Sequence, residues 1–274
     1  KMYPYSTEKN IEKLSKKEIK DISTNIISLF VYKFGSVVLN GTDNILISAL
    51  IGIKTVGVCS NYLLIVSTLN TVINKIRSAF TASVGNLNAT ETPEKKKKIF
   101  EKLFFGFGWL YGLFAVGLFC LGNEAVYLWL GREYIISDMT LMALVINFYV
   151  MGVHYPAFLF RTTLGLFKDG QLAPIIAAVI NLILSVVLAQ CWGVAGIFIA
   201  TPIARIFGMG IFDPILIYKK GFNSNPIEYY SAYLKYAILD FAICILCKYI
   251  IGLLNITNLF ALVLGVAIVF LIYN

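Results

Sequence analysis

Apolar runs of about 20 residues, the length an α-helix needs to cross a ~30 Å hydrocarbon core, follow one another almost from end to end of this sequence. A water-soluble fold would have to hide all of them at once. Lipid is the solvent that leaves such runs in place while each helix satisfies its own backbone hydrogen bonds. Composition agrees with that reading: 58% of the 274 residues are hydrophobic and only 14% are charged, with a mean hydropathy of +0.78. The expected fold class is therefore an all-α integral membrane protein with about eight transmembrane helices.

The eight predicted spans run from Ile22 to Ile51, Val56 to Leu87, Phe100 to Gly122, Met139 to Phe167, Leu172 to Cys191, Val194 to Tyr218, Tyr230 to Leu253 and Leu259 to Tyr273. Punctuation falls between them at Gly52, Thr92-Pro93-Glu94 before four lysines, Gly131-Arg132-Glu133, Asp169-Gly170, Trp192-Gly193, Gly221 to Pro226 and Asn255 to Asn258. The first two spans are longer than a bilayer requires, which predicts tilt, a bend or extension into the cytoplasm. Residues 1–21 form a lysine-rich lead-in, read as a solvated loop or a peripheral amphipathic helix.

Charge placement tests the helix count independently of hydropathy. With a cytoplasmic amino terminus and alternating spans, the cytoplasmic side collects Lys1, Lys9, Lys13, Lys16, Lys17, Lys20, Lys95 to Lys98, Lys102, Lys168, Lys219 and Lys220, the larger part of the 23 basic residues. Opposite loops hold only Lys54 and Arg132. That asymmetry is the positive-inside rule, and one missed or invented helix would invert it downstream. It also accounts for the net charge of +8 without nucleic acid as a partner, since rim lysines meet anionic lipid headgroups.

Most of the remaining features have a packing explanation. Cys59, Cys120, Cys191, Cys244 and Cys247 are scattered in or at the ends of apolar spans, and Cys244-Ile-Leu-Cys247 has no second pair to make a metal or redox site. His154 lacks neighbouring ligand types and reads as a polar contact inside the bundle. Gly108-Trp-Leu-Tyr-Gly112 is a GxxxG pattern that lets another helix approach closely. No cofactor, metal site or catalytic constellation is expected.

Ionisable residues at membrane depth are costly and are the default functional candidates. Lys33 and Arg205 each lie about 11 residues into a span, about 16 Å deep at ~1.5 Å per residue and close to the midplane. Asp43 lies further along the first span, and Asp240 near the middle of the seventh. Lys75, Arg77 and Arg161 fall toward cytoplasmic helix ends, where a long side chain can snorkel to the interface. Lys33 and Arg205 are read either as structural, paired with a carboxylate such as Asp43 or Asp213 or buried against backbone carbonyls, or as cations lining a water-filled cleft that attracts a diphosphate or acidic sugar. Asp240 is read as a helix-packing hydrogen bond ahead of a relay or ion site.

Several strings resemble the carboxyl-terminal half of bacterial polysaccharide flippases, the Wzx-like members of the MOP exporter superfamily, of O-antigen and capsule type. They are Thr42-Asp43-Asn44-Ile45-Leu46-Ile47-Ser48, Ser60-Asn61-Tyr62, Ser83-Val84-Gly85-Asn86-Leu87 and Leu128-Trp129-Leu130-Gly131. Phe160-Arg161 before Gly165-Leu166-Phe167, Asn181-Leu182-Ile183-Leu184-Ser185 and Trp192-Gly193-Val194-Ala195-Gly196-Ile197 complete the set, which covers nearly the whole chain.

The resemblance implies residues 1–21 as the cytoplasmic inter-lobe connector, 22–218 as the second six-helix lobe of a MATE-like transporter, 219–229 as a cytoplasmic loop and 230–274 as two additional helices. It implies a missing amino-terminal six-helix lobe as partner, and the lack of an initiating methionine fits a fragment. The implied activity, not enzymatic, is export of undecaprenyl-diphosphate-linked oligosaccharide across the bacterial plasma membrane by alternating access. Polysaccharide polymerase and glycosyltransferases would be neighbours in lipopolysaccharide or capsule synthesis. Cavity candidates for substrate are Arg205, Lys33, Arg161, Arg77 and Asp43, with Arg77 and Arg161 as cytoplasmic gate residues. Two rivals are a cation-coupled MATE-like small-molecule antiporter, which would favour acidic cavity residues, and a membrane-embedded polysaccharide polymerase or ligase. The largest outward loop, Gly122 to Asp138, offers Glu124, Arg132, Glu133 and Asp138 with no clear catalytic arrangement.

Overall fold

The computed structural model describes residues 14–254 and 256–274. Among them, helices are α1 (Lys16–Leu50), α2 (Ile53–Thr90), α3 (Pro93–Leu130), α4 (Asp138–Thr163), α5 (Ala173–Trp192), α6 (Val194–Gly221), α7 (Ile227–Gly252) and α8 (Leu259–Tyr273), with one short 3₁₀ turn at Arg132–Tyr134. The protein is an all-α, multi-pass membrane protein. Six helices, α1 to α6, are long and apolar enough to span. The seventh and eighth expected spans are also present as helices: α7 has 26 residues and carries Glu228, Lys235, Asp240 and Lys248, and the apolar α8 has 15.

Helix ends differ from the sequence expectation where capping chemistry extends them. Ser15 accepts from the Glu18 amide at 3.2 Å, and Glu18 accepts from the Ser15 amide at 2.7 Å, a reciprocal cap that starts α1 inside the lead-in. Lys16 to Asp21 are therefore the first turns of α1; the rest of that segment up to residue 13, like Asn255, lies outside the described residues. Likewise α3 begins at Pro93, whose ring suits the first helical position, so Lys95 to Lys98 sit on helix and not in a loop.

Contacts at the two ends of the bundle agree with the alternation of spans. At one end Lys97 pairs with Glu228, Lys220 with Asp169 at 2.6 Å, and Asn88 donates to Thr163 at 2.7 Å. At the other, Tyr62 donates to Asn123 at 2.6 Å, and Asn123 donates to the Ile136 carbonyl and Asp138 at 3.1 and 3.0 Å. Lys95 to Lys98, Lys168, Lys219 and Lys220 thus share one end, with Arg132 and Lys54 at the other.

Within the bundle α5 packs on α1 and α6, α4 packs on α3 and α6, and α3 also receives α7 and α8 on its outer side. An aromatic cluster ties α3, α4, α6 and α7 near the lysine-rich end: the Phe100 ring lies 5.3 Å from Phe160, 5.8 Å from Tyr218 and 6.2 Å from Tyr229. Each such pair contributes about 0.5–1.5 kcal/mol beyond its buried area. The GxxxG pattern serves the predicted close approach. A Cβ on Gly108 would touch the Tyr236 ring at 3.6 Å, and one on Gly112 would collide with Tyr273 and Asp240. Asp240 there accepts from the Tyr273 hydroxyl at 2.5 Å, the helix-packing role expected of it.

Helix α6 is not uniform. It kinks within Ile206–Gly210, where Gly208 leaves helical geometry at φ −89°, ψ −105°, and widens into a π-helical turn at Ile217–Gly221. A Cβ on Gly208 would lie 2.7 Å from that of Ala177 and 2.8 Å from the Ala173 carbonyl oxygen. The break is thus held by close backbone contact with α5.

Candidate functional site: a basic cleft between α1, α2, α4 and α6

α1 and α2, joined through Gly52, are held to the bundle by opposite neighbours, α5 and α4. A cleft of about 460 Å³ lies between them, with α4 and α6 behind it. On α1, Ser28, Tyr32, Gly35, Leu39 and Asp43 turn into the protein at helical spacing, while Lys33, Ser36 and Asn40 line the cleft. On α2, Asn74, Arg77, Ser78 and Thr81 do the same. A polar stripe at three- and four-residue spacing along two otherwise apolar helices builds the walls.

Four of the five sequence candidates, Lys33, Arg77, Arg161 and Arg205, line this one cleft from four different helices. Lys33 is exposed and has no ion-pair partner among the described residues. Arg205 is 5% exposed; its Nη2 donates to Asn40 Oδ1 at 2.9 Å, and its Nε has no hydrogen-bond partner among the described residues. Neither Asp43 nor Asp213 pairs with Lys33 or Arg205, which sets aside the structural ion pair considered for them.

Arg77 is held by rings and not by a carboxylate. Its guanidinium carbon lies 4.3 Å from the Tyr155 ring centroid and 5.2 Å from that of Tyr111, and Nη1 donates to Asn74 at 3.2 Å. Contacts of this kind contribute about 0.5–2 kcal/mol, more as water is excluded. Tyr155 returns a hydrogen bond from its hydroxyl to the Arg77 carbonyl at 3.1 Å. The Arg77 atoms Nε and Nη2 are buried without a partner among the described residues.

Arg161 departs from the expectation that it snorkels to the interface. It is only 1% exposed, with Nε 3.2 Å from Asp213 Oδ1, its guanidinium 4.0 Å from the Tyr32 centroid, and Nη1 3.4 Å from the Leu166 carbonyl oxygen. Asp213 is fully buried and also takes His154 Nε2 at 3.0 Å. The counter-charge supplied by α6 makes burial of the cation tolerable, so nothing draws it outward. His154 is the polar contact inside the bundle that its isolation in sequence suggested.

The fifth candidate, Asp43, lies in an adjoining space of about 170 Å³ that shares Asn40 and Met151 with the main cleft. Both carboxylate oxygens are 3.0 Å from the Thr201 hydroxyl. Thr201 accepts in turn from Asn181 at 2.8 Å, and Asn181 accepts from Thr42 at 3.0 Å. Asn44, Asn70 and Asn147 add to the polar lining.

Lys33, Arg77 and Arg205 therefore face the cleft with no carboxylate within ion-pair distance among the described residues, while Arg161 is matched by Asp213. At the reduced dielectric of such a site, clustered cations attract an anion far more strongly than they would in bulk water. Among the described residues no group of three or more His, Cys, Asp or Glu is arranged to hold a metal ion. The chemistry available is recognition of anionic and hydroxyl-rich groups by guanidinium, ammonium, amide and hydroxyl donors. Sequence reasoning missed Asn40, Tyr32, Asn74 and Thr201, although the polar stripes on α1 and α2 were there to be read. Searches against protein-family models, curated proteins and solved structures return no significant match for the chain.

Proposed function

We propose that this chain is the carboxyl-terminal half of an exporter that carries undecaprenyl-diphosphate-linked oligosaccharide across a bacterial plasma membrane. The observation that carries the reading is the convergence of Lys33, Arg77, Arg161 and Arg205 on one cleft, with amide and hydroxyl side chains between them. A headgroup of that class combines a diphosphate with many hydroxyls, and its barrier is the loss of hydration in hydrocarbon. A hydrated cationic cleft replaces that hydration while the lipid tail stays in the bilayer, with no covalent step. A second six-helix lobe facing α1 and α2 would close the cleft, and rocking of the two lobes would expose it to either side in turn.

Arg205→Glu in the complete protein tests this. Polymer export falls to the level of a deletion strain at normal membrane abundance, and lipid-linked oligosaccharide accumulates on the cytoplasmic leaflet; normal export removes Arg205 from headgroup binding. A second reading, a cation-coupled small-molecule antiporter, is favoured by one observation, the buried Asp43 with Thr201 and Asn181 beside it. It predicts drug efflux that Asp43→Asn abolishes, with no accumulation of lipid-linked sugar in the deletion strain.

A further inference from the structure

His154 stands where the cleft, the buried ion pair and the break in α6 meet. The residue borders the cleft on one side and, on the other, a space of about 160 Å³ lined in part by Ile206, Gly210, Tyr229, Tyr230 and Tyr233. The side chain is 9% exposed. Nε2 lies 3.0 Å from Asp213 Oδ2, while Arg161 approaches Oδ1 at 3.2 Å. Arg161 already balances the charge of Asp213, so a neutral imidazole completes the arrangement by donating from Nε2. Nδ1 is then a bare acceptor, buried and without a partner among the described residues.

The groups around His154 decide when it can take a second proton. α1 presents Tyr32 and Lys33, α2 Arg77, α4 Tyr155 and Arg161, α6 Arg205 and Asp213, and α7 Tyr229, Tyr230 and Tyr233. From α3, Tyr111 reaches the neighbouring Gly152. Four cations stand against a single carboxylate, an excess of positive charge that an anion entering the cleft offsets.

We infer that His154 takes up a proton as an anionic headgroup enters the cleft, so that the two bind together. The inference rests on the reading of the cleft as an anion site, and it names the ion that accompanies the headgroup. Coupling of this kind is reciprocal: if the anion favours the proton, the proton strengthens the anion's binding by the same factor. Affinity for the anion therefore rises as pH falls through the range in which the occupied state becomes protonated, by at most about tenfold per pH unit for one proton, and levels off once the empty state is protonated too. Through Nε2 and Asp213, the added charge is felt in the part of α6 beyond the Gly208 break.

The test uses the full-length protein in detergent and inorganic sulfate, a dianion whose charge is constant across the range. Sulfate affinity is measured between about pH 7.5 and pH 5.5, which brackets ordinary imidazole titration, and titration calorimetry in two buffers of different ionisation heat counts the protons taken up. The wild type gains affinity toward low pH and takes up a substantial fraction of a proton. His154→Gln, which keeps a donor for Asp213, binds sulfate with a flat pH profile and no uptake. The inference is overturned if the variant retains the wild-type profile, and equally if the wild type binds sulfate without proton uptake, a result that needs no variant. If sulfate does not bind, or Arg205→Glu leaves its binding unchanged, the cleft reading itself fails.

Discussion

The guanidinium of Arg161 and the carboxylate of Asp213 meet 3.2 Å apart in a site where neither reaches solvent, between α4 and the far part of α6. Breaking one side of such a pair strands a charge, whereas replacing both with apolar groups often does not harm stability. Asp213→Asn is expected to lower the unfolding free energy by about 3–5 kcal/mol. The double variant Arg161→Met with Asp213→Leu should recover most of that loss, as read by thermal unfolding in detergent. Equal destabilisation by the single and double variants would show that the pair is not the reason for the burial.

Arg77 provides a test that separates charge from shape. Lysine keeps the charge but loses the planar group that lies over Tyr155 and Tyr111. Arg77→Lys should lower polymer export at equal membrane abundance by about 2- to 30-fold, the equivalent of the ~0.5–2 kcal/mol such stacking contributes. Export at the wild-type level would mean that only the charge is used.

The orientation of the bundle is open to direct chemical labelling. Cys191 is exposed and is first replaced by Ser to remove its background signal. Lys219→Cys, at the lysine-rich end, should then react with a membrane-impermeant maleimide only after cells are opened, and Glu133→Cys should react in intact cells. The reverse pattern would place the lysine-rich end outside.

Much of the cleft was legible without coordinates because an ionisable residue inside an apolar run stands out against its neighbours. Lys33, Arg77, Arg161, Arg205 and Asp43 are such residues, and four of them share one space. Their partners were not legible. Asp213 lies 59 positions from His154, and which cation it would meet depends on how α6 is wound between Arg205 and Asp213. Regular winding could be assumed from the apolar pattern; two glycines at 208 and 210 do not announce a kink. The lysines after Pro93 illustrate the same limit at a helix end, since hydropathy marks where lipid begins and capping marks where the helix begins. Arg161 shows it for depth: nearness to the end of a span predicts a side chain reaching water, and a buried counter-ion from a distant helix reverses that.

The kink at Ile206–Gly210 also makes α6 sensitive to the length of the chain, apart from the identity of its residues. Gly208 sets the direction in which the later part of the helix leaves the earlier part. Deleting one residue from the helix beside it would swing every later side chain by about 100° around the axis. Asp213 would then leave Arg161 and His154, and Tyr218 would leave its aromatic neighbours, although no residue touching the cleft had been substituted. Natural relatives of this chain should therefore tolerate changed residues at these five positions far better than a change in their number.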